Sequence, residues 1–98
     1  QLFMRDHLPT AFFCINDIVA LGVMRELRLR RMEIPRDMAV VGYDDVTFAS
    51  ELMTPLTSVR QPMHQIGWTA ADILLSGAAP DRHELFRPEL IVRESSRA

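Results

Sequence analysis

The chain has 98 residues, of which 48% are hydrophobic and 24% are charged. This length supports one small domain, and the composition is that of a globular protein rather than a disordered or fibrous one. The formal net charge of -2 argues against direct binding of a phosphate backbone by this segment, because nucleic-acid-binding surfaces are usually strongly basic.

The single cysteine, Cys14, lies in an apolar run and has no second cysteine to pair with. An internal disulfide is therefore excluded, and a reducing, cytoplasmic setting is expected. No apolar stretch approaches the roughly 20 residues of a membrane span, and no signal-peptide pattern opens the chain. Because the sequence starts at Gln1 rather than at a methionine, we expect it to be a piece of a longer protein.

The first predicted elements are a helix end, a strand and a second helix. Residues Gln1 to His7 predict the last turns of a helix, which Pro9 stops because a proline disfavours helix at the residue before it. The continuous apolar run from Ala11 to Ile15 predicts a buried strand. Asn16 is a favoured N-cap residue, so it predicts the start of a helix from about Asp17 to Arg31.

This helix is apolar on more than one side, which is typical of a helix that packs on two surfaces. One surface would be the sheet, and the other a partner subunit. Its apolar positions are Ile18, Ala20, Leu21, Val23, Met24, Leu27 and Leu29. Its arginines lie toward the C-terminal half, where positive charge suits the helix dipole. A solvated helix end explains them more simply than a nucleic-acid-binding patch.

The next apolar run begins at Met38 and stops at Gly42, followed by Tyr43, Asp44 and Asp45. Such a run predicts a strand buried on both faces, and with the preceding strand and helix it forms the βαβ unit of a parallel α/β sheet. Ligands of open α/β sheets bind beyond the carboxyl ends of the strands, so Asp44 is a candidate binding residue. The alternative is that both aspartates only end the strand and begin a turn.

The second half of the chain predicts a connector, a helix and a final strand. Residues Thr47 to Met53 predict irregular structure or a single helical turn. The polar stretch Thr54 to Pro62, with a proline near each end, predicts a connector or an edge strand rather than a central strand. Apolar residues at three-and-four spacing predict a helix from Met63 to Gly77, then a loop over Ala78 to His83. Residues Glu84 to Glu94 contain a proline and predict an edge strand.

Nothing in the sequence predicts catalysis, a metal site or a cofactor. The histidines are far apart and lack metal-ligand neighbours at short spacing. Asp44 and Asp45 are adjacent on an extended backbone, so their side chains diverge and make a poor acid and base pair.

Asn16 and Asp44, however, each follow a strand and can face one crevice. An amide and a carboxylate together suit the hydroxyl groups of a sugar or nucleoside.

Four spaced motifs, in this order and over about Thr10 to Ser96, resemble the C-terminal part of LacI/GalR-family bacterial transcription regulators. They are Asn16-Asp17-x-x-Ala20-x-Gly22, Ile34-Pro35-x-Asp37-x-x-Val40-Val41-Gly42-Tyr43-Asp44-Asp45, Pro55-Leu56-Thr57-Ser58-Val59-Arg60-Gln61-Pro62 and Pro88-Glu89-Leu90-x-Val92-Arg93-x-Ser95. Several motifs in the same order make the resemblance specific, whereas any one alone is weak.

The resemblance implies a truncated periplasmic-binding-protein-like (type I) effector domain, which in full has two α/β lobes. Residues 10–61 would form the C-terminal lobe, and residues 84–96 would return to it as a strand. The family places the helix and loop at 62–83 in the N-terminal lobe. Without that lobe, we expect the helix to fold back on its own lobe, to swap onto a neighbouring chain or to become disordered.

The resemblance also implies a small-molecule effector, of the sugar or nucleoside class, that binds between the lobes and shifts operator affinity. The family's binding positions fall on Asn16, Asp44 and Met63, where methionine departs from an aromatic found in some members. Operator DNA would be bound only through a helix-turn-helix headpiece absent from this chain. The first long helix resembles one that the family uses to form a homodimer, with contacts expected at Leu21, Ile18 and Met24.

Two functions remain open from the sequence, and an enzyme is a distant third. The leading one is the ligand-sensing and dimerising part of a cytoplasmic transcription repressor. The alternative is a periplasmic sugar-binding protein of a transporter, which shares the fold but acts as a monomer. The stretch Leu56 to Pro62 favours the repressor, and the sequence leaves the identity of the effector and of the operator open.

Overall fold

The computed structural model describes residues 8–77 and 82–97. The helices and strands, in chain order, are β1 (Ala11–Phe13), α1 (Asp17–Leu29), β2 (Ala39–Tyr43), β3 (Thr57–Arg60), α2 (Met63–Leu75) and β4 (Glu89–Ile91). Two 3-10 turns span Thr47–Ser50 and Glu94–Ser96, and the first of them confirms the predicted single turn. The predicted helix end at Gln1 to His7 and most of the predicted loop at Ala78 to His83 lie outside the described residues.

The four strands form one mixed sheet in the order β1-β2-β3-β4. Strands β1 and β2 are parallel, as are β2 and β3, whereas β4 runs antiparallel to β3. Because β1 and β2 are parallel neighbours joined through α1, the predicted βαβ unit of an α/β fold is confirmed. The carboxyl ends of the three parallel strands therefore meet at one edge of the sheet.

Strand β3 lies inside this sheet, so the prediction of a connector or edge strand was wrong. Both prolines that suggested an edge, Pro55 and Pro62, flank the strand and take no place in its hydrogen-bond ladder. Its polar residues Thr57 and Ser58 are buried, and each hydrogen-bonds to side chains distant in sequence. Strand β4 is the last strand in the order of the described sheet, which confirms its prediction as an edge.

Helix α1 begins where Asn16 caps it, with the Val19 amide donating to Asn16 Oδ1 at 2.8 Å. The helix ends just before Arg31, whose φ of 59° lies in the left-handed region that commonly terminates helices. The helix packs on β2 through one face, and the buried apolar core comprises Cys14, Ala20, Met24, Leu27, Met38, Val40, Ala49 and Leu56. Each large side chain fully buried there contributes roughly 1.5–3 kcal/mol.

The segment after β4 is attached to strands β2 and β3 by hydrogen bonds of hydroxyl groups. Ser95 Oγ donates to the Val40 carbonyl at 2.6 Å and accepts from the Thr57 amide at 2.8 Å. Thr57 Oγ1 in turn accepts from the Arg93 amide at 2.8 Å and lies 2.6 Å from Ser96 Oγ. Within residues 8–77 and 82–97, every buried side-chain nitrogen and oxygen has a hydrogen-bond partner.

Helix α2 forms as the periodicity predicts and is followed by Gly77, whose φ is 66°. No residue of α2, which is described along its whole length, is buried. Its apolar side chains lie open, with Trp68 65% and Leu74 82% exposed. The absence of any buried residue in α2 argues against folding back onto the lobe, whereas disorder and exchange with a neighbouring chain stay predictions.

Candidate functional site

The loop that follows β2 carries two consecutive residues in unusual backbone conformations. Asp44 has a φ of 102° and Asp45 a φ of 52°. A positive φ costs roughly 1–3 kcal/mol for a non-glycine residue, although Asp and Asn tolerate the left-handed region better than other side chains do. Such a conformation persists only where surrounding contacts stabilise it, and here these contacts are hydrogen bonds and ion pairs.

Asp17, the first residue of α1, holds the loop by hydrogen bonds of its carboxylate. Its fully buried carboxylate accepts the Val46 amide on Oδ2 and the Ser58 hydroxyl on Oδ1, each at 2.7 Å. Ser58 Oγ also accepts the Asp45 amide at 2.9 Å. One carboxylate thus joins the start of α1, the loop and strand β3.

This arrangement requires glycine at position 42. A Cβ atom on Gly42 would lie 2.1 Å from Asp17 Oδ1 and 3.1 Å from Leu56 Cδ2. Any side chain there would displace the Asp17 carboxylate from the loop. Gly42 therefore allows the close approach of α1 to β2, which sequence pattern alone did not reveal.

Asp45 is held from the side by two arginines. Its Oδ1 accepts from Arg93 Nη1 at 2.6 Å and its Oδ2 from Arg60 Nε at 2.8 Å. Burial works to raise the pKa of Asp45, but the hydrogen bonds from Arg93 and Arg60 outweigh it and lower the pKa below its ordinary value. The side chain is 5% exposed, so Asp45 serves as an internal ion-pair partner and is closed to a ligand.

Asp44 has a different side-chain partner from Asp45, so the carboxylates diverge as predicted, but the expected extended backbone was wrong because both residues have positive φ. Its amide donates to the Val59 carbonyl at 2.9 Å, and its Oδ1 accepts from Gln61 Nε2 at 3.0 Å. Among the described residues its Oδ2 takes no hydrogen bond, and the residue is partly exposed. Asp44 therefore retains an acceptor for a ligand, while Asp45 ends the strand and fixes the turn.

The other two predicted binding residues also lie at this edge. Asn16 uses Oδ1 to cap α1, and its amide nitrogen bonds to nothing in the described part of the chain, so it retains two donors. Met63 is 49% exposed at the start of α2, two residues after the Gln61 that holds Asp44. The structure thus brings a free carboxylate oxygen and a free amide to the ends of neighbouring parallel strands, with Met63 on the connection that leaves β3.

An open groove of about 470 Å³ lies beside these polar groups. It is lined by Phe13, Cys14, Ile15 and Tyr43, the residues at the carboxyl ends of β1 and β2. Phe13 is 72% and Ile15 80% exposed, so the groove is apolar and accessible. Its volume lies within the roughly 300–1,000 Å³ of small-molecule sites. Sequence reasoning missed these residues because it assigned the apolar run to the core.

Cys14 gives no sign of reactivity. Burial raises the pKa of the Cys14 thiol, which keeps it protonated and weakly nucleophilic near neutral pH. Across residues 8–77 and 82–97, no three His, Cys, Asp or Glu side chains come together as metal ligands. In the same part of the chain, no helix has the length and apolar character needed to cross a membrane.

The residues predicted for a dimer contact divide between two faces of α1. Ile18 is 60% and Leu21 39% exposed on the outward side. Met24 is 2% exposed and packs in the core against the sheet, so its prediction as an interface residue is corrected. Each three-residue step turns the helix by about 60° short of a full turn, so Met24, two steps from Ile18, lies about 120° from it, with Leu21 between them.

The fold is an α/β lobe with a groove at the carboxyl ends of its strands, and comparison with known proteins agrees. A family model described as a periplasmic binding protein-like domain matches residues 1–96. The repressor named HTH-type transcriptional repressor PurR, from Vibrio cholerae serotype O1 (strain M66-2), is 38% identical over 99 aligned positions. The match covers 97% of this chain but 30% of that repressor, so the chain spans about a third of its length.

Two solved structures agree with this result. The lac repressor dimer bound to operator and the anti-inducer ONPF has a TM-score of 0.82 and 34% identity, over 92% of this chain and 28% of that one. A LacI family transcriptional regulator from Lactobacillus casei with bound sucrose has a TM-score of 0.77 and 37% identity, over 89% of this chain and 33% of that one. This chain belongs to the LacI/GalR family and corresponds to the C-terminal part of its periplasmic-binding-protein-like effector domain.

Proposed function

We propose that this chain is the effector-binding and dimerising part of a DNA-binding transcriptional repressor that acts in the cytoplasm. The observation that carries the proposal is the sheet edge where Asn16 and Asp44 keep unused hydrogen-bonding groups beside an apolar groove. Operator DNA is contacted by a headpiece outside this chain, consistent with its net charge of -2. The role is binding and not catalysis.

The effector is a small polar molecule of the sugar or nucleoside class. The Asp44 carboxylate accepts from ligand hydroxyl groups, and charge-assisted bonds of this kind are about twice as strong as neutral ones. The Asn16 amide donates to ligand oxygens from the neighbouring strand end. Phe13 and Tyr43 offer apolar surface to one side of a ring, and Met63 approaches from the start of α2. No cofactor is required for any of these contacts.

Residues 62–83, which include helix α2, belong to the second lobe of the domain. Support comes from the exposed apolar face of α2. An apolar helix face normally packs against another element, and no residue of α2 is buried here. Residues 10–61 and the returning segment 84–96 form the lobe described above. The effector then lies between the lobes, in contact with both.

The repressor function is favoured over a transporter's binding protein. The Vibrio cholerae relative is named a transcriptional repressor, and the solved structures above are a repressor and a transcriptional regulator. The exposed pair Ile18 and Leu21 also supplies an apolar surface for a second copy of the chain, whereas a monomeric binding protein needs none.

The experiment uses the full-length protein and sheared DNA from its own genome. Fragments retained by the protein are sequenced, and the affinity for the recovered site is measured by fluorescence anisotropy with and without sucrose, glucose and a panel of nucleosides. We expect one site to be retained specifically and at least one compound to change its affinity several-fold. Failure to retain any specific site would overturn the repressor assignment. A retained site whose affinity no compound changes would overturn the effector class.

A further inference from the structure

We propose that Asp45 is a positioning residue that fixes Asp44 in the orientation needed to bind the effector; this inference rests on the proposed function. Asp45 has no surface for a ligand, since its side chain is 5% exposed. Instead, its carboxylate accepts hydrogen bonds from two arginines and its amide donates to a serine, and these contacts hold the loop that carries Asp44.

The backbone of the loop is held at three consecutive amides. The Asp44 amide donates to the Val59 carbonyl, the Asp45 amide to Ser58 Oγ, and the Val46 amide to Asp17 Oδ2, at 2.9, 2.9 and 2.7 Å. Since Asp44 and Asp45 both have positive φ values, the loop would relax toward ordinary backbone angles without such restraints. Asp45 is the middle of the three, and its side chain also forms ion pairs with Arg60 and Arg93.

The side chains of the loop pair with β3 and the residue after it in register. Arg60 donates to Asp45, and the next residue, Gln61, donates to Asp44. Arg93 approaches Asp45 from the other side and also donates to the Leu56 carbonyl at 2.8 Å, so it ties Asp45 to the main chain before β3. The Asp45 ion pairs therefore keep Asp44 opposite Gln61, with Asp44 Oδ2 left for the ligand.

Asp45→Asn in the full-length protein tests the role cleanly. Asparagine has the same shape and tolerates the left-handed region, so the change removes the charge and retains the backbone preference. Hydrogen–deuterium exchange of the ligand-free protein reports on the amides of residues 44–46. Titration calorimetry with sucrose, glucose and the nucleoside panel reports on binding, at a temperature well below unfolding. Glu26→Gln, which removes an exposed ion pair with Arg30 on α1, is the matched control.

We expect Asp45→Asn to speed exchange of residues 44–46 about tenfold, with exchange in α1 within about twofold of wild type. The compound bound by wild type should bind about tenfold more weakly, and Glu26→Gln should change neither quantity. Unchanged exchange at 44–46, or faster exchange spread evenly through α1, would overturn the positioning role. So would unchanged affinity despite faster local exchange.

A second variant keeps the test decisive if Asp45→Asn fails to fold. Arg60→Met removes the outer partner, whose side chain is 52% exposed, and leaves Arg93 on Asp45. It should raise exchange at 44–46 about threefold and spare α1, and no change would contradict the proposal. If no compound binds wild type, the effector class of the proposed function fails, while the exchange measurements still decide whether Asp45 holds the loop.

Discussion

Three aspartates within one small region take three different roles because their partners differ. Asp17 is fully buried and accepts hydrogen bonds from the Val46 amide and the Ser58 hydroxyl, so it joins secondary-structure elements. Asp45 is paired with two arginines and maintains a turn. Asp44 has one oxygen bonded by Gln61, and its other oxygen has no partner in the described chain. Residue type alone did not distinguish these roles.

At the same scale, Gly42→Ala should destabilise the protein by about 1–3 kcal/mol, the usual cost of overpacking a core. The new Cβ would lie 2.1 Å from Asp17 Oδ1. Gly22→Ala is the control, because a Cβ at Gly22 has nothing within 4 Å and alanine favours helix by roughly 0.5–1 kcal/mol. Urea unfolding midpoints compare the two. Equal midpoints would contradict the close approach at Gly42.

The contribution of the Asp45 ion pairs to the stability of the protein should decrease at acidic pH. Because hydrogen bonds from the arginines lower the pKa of Asp45 in the folded protein, its contribution is full above the unfolded value of roughly 3.9. The contribution disappears as the pH falls through the folded pKa. The difference in unfolding midpoint between wild type and Asp45→Asn should therefore be constant near neutral pH and shrink below about pH 4. A difference that persists in acid would argue against ionic pairing.

At the scale of elements, local pattern was sufficient to predict that β1, α1, β2 and α2 form, because apolar runs and periodicity depend on neighbouring residues. The prediction that β1 is a buried strand was wrong, since Phe13 is 72% exposed. Local pattern failed for β3, where the buried residues Thr57 and Ser58 donate hydrogen bonds to Ser95 and Asp17, which are 38 and 41 residues away in sequence. The same limit hid the role of Asp17, which looked like a simple helix-start residue. Contacts of this range carry no local signal.

The buried hydroxyl group of Ser95 makes two of the hydrogen bonds that attach the C-terminal segment to the sheet. Ser95→Ala removes the donor to the Val40 carbonyl and the acceptor of the Thr57 amide. Leaving buried polar groups unpaired should cost about 1–3 kcal/mol in the free energy of unfolding. Ser50→Ala, at an exposed position in a 3-10 turn, serves as the control and should stay within about 0.5 kcal/mol of wild type. Similar unfolding midpoints for both variants would contradict the attachment.

At the scale of the whole molecule, two helices present apolar surface to the outside. On α1 the outward residues include Ile18 and Leu21, and on α2 no residue is buried at all. Periodicity predicted the apolar faces of both helices, whereas the dimer contacts came from the family resemblance and wrongly included the buried Met24. We propose that the surface of α1 meets a second copy of the chain and that the surface of α2 meets the other lobe.

Leu21→Arg in the full-length protein should convert a dimer into a monomer, because it introduces an unpaired charge into an apolar contact. Sedimentation velocity across a dilution series measures the mass. Met53→Arg is the matched control, since Met53 is an 82% exposed apolar residue outside α1 and should leave the mass unchanged. A Leu21→Arg protein that still sediments as a dimer would exclude this surface.

The central claim is that the free oxygen of Asp44 binds the effector, and the most direct test is the affinity of Asp44→Ala. Titration calorimetry on the full-length protein would compare wild type, Asp44→Ala and Glu51→Ala with whichever of sucrose, glucose or the nucleosides binds wild type. We predict that Asp44→Ala weakens binding by about 1–3 kcal/mol, through loss of a charge-assisted hydrogen bond, and that Glu51→Ala, at an exposed position, has no effect. Equal affinity in all three proteins would contradict the account.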